Sequence, residues 1–232
     1  MDAFGQAALD FLNFKHDEFI YVKSETMEDD VISVNHLFRN FEKMPICEQA
    51  ALNEVKGKVL DVGGGVGSHC LYLQEQGYQT TMLDFSSGLC EVSKKRGVEN
   101  VVKNDFFTWK TDQKYDTVLF MMNGIGIGGS FDTFKQAIEL SFELLNEGGQ
   151  ILFDSTDITF CYEQNDGSIL LPINIEYLGF VKFKLKYKGK EDDWFDWAYY
   201  SAEKLRELLP KKYSLEILKE DGPAYCGRIT LV

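Results

Sequence analysis

A turn rich in glycine is the strongest chemical signal in the sequence. The apolar run Val59–Val62 carries Asp61 within it and leads straight into four nearby glycines, Gly63, Gly64, Gly65 and Gly67. Glycine lets a backbone come close to a ligand, and the N-terminus of a following helix offers free N–H groups to a carboxylate or a phosphate. The segment therefore predicts a ligand-binding turn, with tight strand-to-helix packing as the alternative.

Three further apolar runs end in polar residues. The run Thr80–Leu83 ends at Asp84, Val101–Val102 is followed closely by Asp105, and Thr117–Met122 ends at Asn123. A carboxylate at the second strand end can accept both hydroxyls of an adenosine ribose, and Asp105 could accept a hydrogen bond from an adenine amino group. Ligands of open α/β sheets bind at the carboxyl ends of the strands, so these residues predict one shared site.

The spacing of the glycines separates two classes of nucleotide site. The pattern reads G-x-G-x-G, and Ser68 stands where a dinucleotide-binding motif would have its last glycine. A serine at this position argues against the dinucleotide site of an NAD(P)-dependent oxidoreductase. That enzyme class stays as an alternative for the protein.

Taken in order, the four segments resemble the class I S-adenosylmethionine-dependent methyltransferases over about residues 57–156. The resemblance implies that Asp61 and the glycines surround the methionyl part of the cofactor, that Asp84 holds the ribose, and that Asn123 lies near the sulfonium. Phe85 would lie against the adenine, and Asp105 with Phe106 would flank it. The full set of expected cofactor-binding residues is Asp61, Gly63, Gly64, Gly65, Gly67, Asp84, Phe85, Asn104, Asp105, Phe106, Met122 and Asn123.

A weaker resemblance, carried by Phe38-Arg39, Met44-Pro45 and Glu48, is to a bacterial methyltransferase subgroup whose members largely lack known acceptors. It assigns no activity. The expected reaction is an in-line transfer of the methyl group to an unidentified small molecule, with S-adenosylhomocysteine as the product. A protein that binds S-adenosylmethionine without catalysis is a further alternative.

Several residues outside these segments have two interpretations each. Asp154, Asp157 and His69 are candidates for a general base, but strand-end acids also cap helices and His69 could simply line a helix. Arg39 could hold the carboxylate of an acceptor or form an internal salt bridge. For three further features the structural interpretation competes with an acceptor-binding one: the lysines at 182, 184, 186 and 188, the pair Trp194 and Trp197, and the second glycine loop at 123–130.

The periodicity of the apolar residues predicts the elements that position these groups. Residues 1–56 have helical spacing and are expected to form a helical cap of the same domain. From residue 57 onward, strands alternate with helices at 65–76, 87–96 and 131–146, which predicts a Rossmann-like, doubly wound and mostly parallel α/β sheet. An antiparallel hairpin is expected as an insertion at about 160–200, followed by a helix capped by Ser201 and two final strands.

Composition limits the partners and the location. The formal net charge of −13 disfavours nucleic acid as a partner. Five scattered cysteines without a C-x-x-C pair suggest neither a disulfide framework nor a zinc site, so no metal is expected. Neither a signal peptide nor a membrane-spanning run is found, so we expect a cytoplasmic enzyme without a membrane partner. The oligomeric state is not predicted.

Overall fold

A computed structural model describes residues 2–163, 166–169 and 175–232. The helices are α1 Ala3–Phe14, α2 Val34–Leu37, α3 Ile46–Asn53, α4 Ser68–Glu75, α5 Ser87–Arg96, α6 Phe131–Leu144 and α7 Ala202–Leu208. The strands are β1 Phe19–Ser24, β2 Asp30–Ser33, β3 Val59–Val62, β4 Thr80–Asp84, β5 Val101–Lys103, β6 Tyr115–Phe120, β7 Leu145–Thr156, β8 Phe180–Tyr187, β9 Lys190–Glu191, β10 Phe195–Ala198, β11 Tyr213–Asp221 and β12 Ala224–Leu231. Short 3-10 helices lie at Phe41–Lys43, Gly124–Gly126 and Ile158–Tyr162.

The main sheet has seven strands in the order β11-β12-β7-β6-β3-β4-β5. The five strands from β7 to β5 are parallel, and β12 and β11 complete the sheet in antiparallel pairing. Every residue of β3 and β4 is buried, as expected for strands of a sheet covered on both faces. The predicted Rossmann-like α/β fold is confirmed, and the parallel strands bring their carboxyl ends to one edge.

Local sequence signals explain where the helices of this sheet begin. The Ser86 hydroxyl accepts a hydrogen bond from the Leu89 N–H at the start of α5, and the Ser130 hydroxyl accepts one from the Thr133 N–H at the start of α6. Ser201 caps α7 in the same way through the Lys204 N–H. These caps lie at the helix starts that the sequence predicts.

A second, antiparallel sheet has the strand order β10-β8-β1-β2, with the short β9 paired to β8. The predicted hairpin is present as β8 and β10, where Phe183 pairs with Phe195 and Val181 with Trp197. Part of the expected insertion at 160–200 lies outside the described residues.

The N-terminal segment differs from the prediction. Helices α1, α2 and α3 are present, but residues 19–24 and 30–33 form strands and not helices. In β1 only Ile20 and Val22 are buried, and they alternate with exposed residues, which is the period of a strand. Because this alternation covers so few residues, the helical spacing of the surrounding sequence hides it.

Helix α1 joins the two sheets. It packs against α5 through two glycines, since a Cβ atom on Gly88 would lie 2.5 Å from the Gly5 Cα atom. On its other side, α1 shares one apolar cluster with Ile20, Val22 and Leu185 of the second sheet. Within residues 2–163, 166–169 and 175–232, every helix falls short of the length or the apolarity that a bilayer crossing needs.

Candidate functional site

The glycine turn between β3 and α4 has an open side and a packed side. Gly63, Gly65 and Gly67 have φ angles of +70°, +60° and +81°, which favour glycine. A Cβ atom on Gly63 would meet nothing within 4 Å, whereas one on Gly64 would lie 2.5 Å from the Met82 Cγ atom. Gly63 therefore borders free space at the sheet edge, and Gly64 is needed for packing.

Asp84 lies at the end of β4, beside this turn. Its two carboxylate oxygens accept hydrogen bonds from the Gly65 N–H at 3.0 Å and the Ser86 N–H at 2.8 Å. Burial raises the pKa of Asp84 to about 6, although both hydrogen bonds favour the ionised form. The carboxylate is thus fixed in place, with lone pairs left for further donors.

The residues expected around an adenine have different environments. Phe85 is 71% exposed beside Asp84, so a flat ligand can reach its ring. Asp105 is exposed, and one of its oxygens accepts the Phe107 N–H at 2.8 Å. The Asn104 side-chain oxygen accepts the Asp105 N–H at 2.9 Å. In contrast, Phe106 is buried in the main core, with its ring centroid 5.5 Å from that of Phe120.

Four ionisable side chains form a buried charge cluster behind the turn: Arg39, Glu48, Asp61 and His69. Glu48 receives Arg39 Nη2 on both carboxylate oxygens at 2.6 Å, and its Oε2 atom lies 2.9 Å from His69 Nε2. The Nδ1 atom of His69 lies 4.0 Å from Asp61 Oδ2. Arg39 thus forms an internal salt bridge, which was the alternative to binding the carboxylate of an acceptor. The sequence did not predict the role of Glu48 as the centre of this cluster.

The cluster shifts the titration of its members. Burial raises the pKa of Asp61. Burial on its own lowers the pKa of His69, but the hydrogen bond to Glu48 and the charge of Asp61 outweigh it and the pKa is raised. Conversely, burial raises the pKa of Glu48, but His69 and Arg39 outweigh it and the pKa is lowered. The arrangement therefore favours an ionised Glu48 between two cations.

The end of β6 carries unusual backbone geometry. Met122 and Asn123 have φ angles of 60° and 58°, a region that residues other than glycine rarely adopt. The Asn123 N–H donates to both carboxylate oxygens of Asp154, at 3.2 and 3.1 Å, and its side-chain oxygen accepts the Thr156 hydroxyl at 2.9 Å. This geometry brings the ends of β6 and β7 together and fixes Asp154 at the edge.

Most other candidates have structural roles. The Asp157 side chain caps the 3-10 helix at Ile158–Tyr162 by accepting the Thr159 N–H at 3.0 Å. The lysine stripe is held in ion pairs within the chain. Its four members pair with Asp196, Glu191, Asp10 and Glu18. Trp194 is partly exposed, and Lys184 Nζ lies 5.8 Å from its ring centroid. These contacts favour the structural interpretation of the lysine stripe over an anion-binding one.

The second glycine loop packs against β10. A Cβ atom on Gly126 would lie 1.8 Å from the Ala198 carbonyl oxygen, and Ile127 forms an isolated bridge with Trp197. The loop therefore anchors the second sheet beside the end of β6. In the described part of the chain, no group of three or more His, Cys, Asp or Glu side chains could hold a metal ion.

Comparison with known proteins gives consistent results. A family model described as a methyltransferase domain matches residues 35–220. The chain is similar to the solved structure of an S-adenosylmethionine-dependent methyltransferase from Bacteroides fragilis in complex with S-adenosylhomocysteine, with 34% identity, a TM-score of 0.91, and coverage of 99% of this chain and 94% of that chain. No curated protein matches the chain.

More distant structures share the fold. The CcbJ methyltransferase from Streptomyces caelestis has 14% identity and a TM-score of 0.63, with coverage of 82% of this chain and 94% of that chain. A methyltransferase from Clostridium acetobutylicum has 14% identity and a TM-score of 0.59, with coverage of 79% and 87%. At these identities the similarity concerns the fold alone.

Proposed function

Because this chain belongs to the S-adenosylmethionine-dependent methyltransferases, EC 2.1.1, we propose that it methylates a small molecule held between the main sheet and the second sheet. The cofactor is S-adenosylmethionine, and the product formed from it is S-adenosylhomocysteine. The expected fold and enzyme class are thereby confirmed, while the acceptor and the residue roles below are our proposal.

The residues at the sheet edge fit this cofactor. One observation supports the assignment most strongly. The free space at Gly63, just after β3, lies beside the fixed carboxylate of Asp84 at the end of the neighbouring strand β4. A ribose bears two hydroxyl donors, which match the remaining lone pairs of Asp84. The buried carboxylate of Asp61 suits the ammonium group of the methionyl part.

The remaining roles follow from position along the edge. We assign the glycine turn, with Gly63, Gly64, Gly65 and Gly67, to the methionyl part, and Phe85, Asn104 and Asp105 to the adenine. Phe106 supports the adenine side from the core. Met122 and Asn123, at the end of β6, lie at the place assigned to the sulfonium. When bound, the cofactor supplies an electrophilic methyl carbon, and the task of the protein is to align an acceptor with it and to exclude water.

The second sheet supports a small acceptor. Its strands β8 and β10 carry Phe183, Phe195 and Trp197, with ring centroids 6.2 and 6.3 Å apart for successive pairs. The next aromatic residue, Tyr199, has its pKa raised to about 12 by burial and by the nearby charges of Asp30 and Asp154. The aromatic side chains of β8 and β10 give the second sheet an apolar surface, which suits a metabolite more than a macromolecule.

Calorimetry tests the cofactor assignment. We expect saturable binding of S-adenosylmethionine and S-adenosylhomocysteine and no binding of NAD. Asp84→Ala should weaken binding by about 1.5–3 kcal/mol, or roughly ten- to hundredfold, because it removes hydrogen bonds to a charged group. Asp112→Ala, an exposed acid in the loop before β6, is the matched control and should leave the dissociation constant unchanged. A folded Asp84→Ala protein with unaltered affinity would contradict the ribose role.

Transfer of a labelled methyl group tests the acceptor class. The enzyme is incubated with methyl-labelled S-adenosylmethionine and a cell extract that is then separated by size. We expect label in the small-molecule fraction. Label recovered only in protein or RNA would show that the acceptor is a macromolecule.

A further inference from the structure

Asp154 occupies a central position at the carboxyl edge of the main sheet. It lies near the end of β7, where it pairs with Cys226 of β12 on one side and receives the Asn123 N–H from the end of β6 on the other. The residue is 9% exposed. The Asn123 N–H approaches both oxygens of this carboxylate, and lone pairs remain for a ligand.

The strained backbone at the end of β6 positions the carboxylate of Asp154. Two successive residues in the left-handed region, Met122 and Asn123, are kept only where the surrounding structure holds them, and such residues cluster at functional sites. Here the conformation directs the Asn123 N–H onto Asp154, and the Thr156 hydroxyl holds the Asn123 side chain. The strain therefore positions a carboxylate at the place assigned to the sulfonium.

The ionisable groups around Asp154 come from every neighbouring element. Glu48 and Cys47 face it from α3, His69 from α4, Cys226 from β12 and Tyr199 from the segment after β10. Burial raises the pKa of Asp154 to about 7, with a further contribution from the charge of Glu48, while the Asn123 N–H and His69 oppose the rise. The carboxyl group can thus gain and lose a proton near neutral pH.

We propose that Asp154 takes the proton of the methyl acceptor, whose attacking atom is therefore the oxygen of a hydroxyl, the sulfur of a thiol or the nitrogen of a neutral amine. The inference rests on the proposed function. A lone pair of the acceptor atom forms the bond to the methyl carbon, the carbon–sulfur bond breaks with its electron pair kept by sulfur, and the proton passes from the acceptor atom to the Asp154 carboxylate. Solvent removes that proton before the next turnover.

This role requires Asp154 to lie close to the sulfonium. The attacking atom must lie about 3–3.5 Å from the methyl carbon and in line with the carbon–sulfur bond. A carboxylate that reaches this atom is near enough for the positive sulfonium to favour its ionised form. Binding of S-adenosylmethionine should therefore expel a proton from Asp154.

The two cofactor forms isolate this effect. S-adenosylhomocysteine has the same methionyl and adenosine groups but no methyl group and no sulfonium charge. Contributions from Asp61 and Asp84 are therefore shared, and the difference between the two ligands reports on groups near the sulfur. If S-adenosylmethionine lowers the pKa of Asp154 from about 7 by about one unit, it should release about 0.4 proton more than S-adenosylhomocysteine at pH 7, measured by calorimetry in buffers of different ionisation enthalpy.

The same linkage predicts a pH dependence with a definite sign. Because the ionised carboxylate favours the cation, the affinity for S-adenosylmethionine relative to S-adenosylhomocysteine should rise about fivefold from pH 6 to pH 8.5 and then level off. Asp154→Asn should remove both the proton release and the pH dependence. Asp157→Asn, an equally short acid that caps the next 3-10 helix, should keep both.

Each outcome supports or overturns the proposed role of Asp154. Equal proton release by the two ligands in the natural protein overturns the role of Asp154, and so does a difference that persists in Asp154→Asn, because Glu48 or His69 would then be its source. If Asp154→Asn does not fold, the carboxyl ¹³C signal of Asp154 in the natural protein gives the same answer, since its pKa should fall with S-adenosylmethionine and not with S-adenosylhomocysteine. Failure of both ligands to bind would instead refute the proposed function, and this inference with it.

Discussion

Glu48 shows how a single side chain can hold several elements together. Its carboxylate is shared by Arg39, from the segment after α2, and by His69, in the first turn of α4. Both partners are buried, so neither can turn to water if Glu48 is removed. A buried charge without its partner is far more costly than an exposed one.

Glu48→Ala should therefore lower the free energy of unfolding by about 3–5 kcal/mol, the usual cost of breaking a buried ion pair. Glu42→Ala, an exposed neighbour in the sequence, should change it by less than about 0.5 kcal/mol. Urea denaturation of both variants beside the natural protein measures the difference. Similar stability for the two variants would mean that the cluster contributes little to the fold.

At this scale the sequence predicts where the residues assigned to the cofactor lie better than it predicts which residues support them. Asp61, Asp84 and Gly63 each stand at a fixed place relative to a strand end, so their position follows from local sequence. The contact of Glu48 with His69 depends on how α3 and α4 pack together on the sheet, and no local pattern specifies it. The presence of an arginine, a glutamate and a histidine near the motif was the available signal.

At the scale of elements, the loop after β6 packs very closely against β10. Gly126 touches the Ala198 carbonyl oxygen so closely that any side chain would force the two backbones apart. Gly124, in the same 3-10 helix, has ordinary space, since its Cβ atom would lie 3.5 Å from the Phe120 Cβ atom. Neither glycine has a positive φ angle, so space alone distinguishes them.

We therefore expect Gly126→Ala to destabilise the protein by about 2–3 kcal/mol, as overpacking does. Gly124→Ala should change the stability by less than about 1 kcal/mol. Thermal unfolding of the two variants makes the comparison. If both behave alike, the contact between the loop and β10 is not tight in solution.

The elements of the main sheet were predictable because short apolar runs alternate with helix-length segments along this part of the chain. Strand β3 has its predicted bounds, and α5 spans the predicted residues 87–96. The second sheet was predicted only in part. Strands β8 and β10 form the expected hairpin, but β1 pairs with β8 far along the chain and β2 joins the sheet only through β1, so no local pattern reveals this part of the sheet.

At the scale of the whole molecule, the apolar cluster shared by α1, α5 and the second sheet argues against a division of the chain into independently folding domains. Residues from the N-terminal segment, from α5 and from β8 bury one another there. We propose that residues 1–56 and 57–232 form one domain, with the second sheet as its cover.

Scanning calorimetry should accordingly show one unfolding transition, with equal calorimetric and van't Hoff enthalpies. Removal of residues 1–33 should not leave a smaller stable enzyme, because it exposes the side chains of Leu89, Val92, Leu185 and Tyr187 that α1 and β1 cover. Binding of an apolar dye to the shortened protein measures that exposure. Two separate transitions, or a well-folded shortened chain, would contradict the single domain.

The pairing of Tyr21 with Lys186 places two distant parts of the chain side by side. During synthesis, β1 leaves the ribosome long before its partner β8 has been made, so until then β1 has only β2 as a neighbour in its sheet. Strands β3 to β7 are complete by residue 156 and can associate meanwhile. The crevice of the enzyme is thus expected to take shape before its cover, and the nascent chain to depend on helix α1 to shield its early strands.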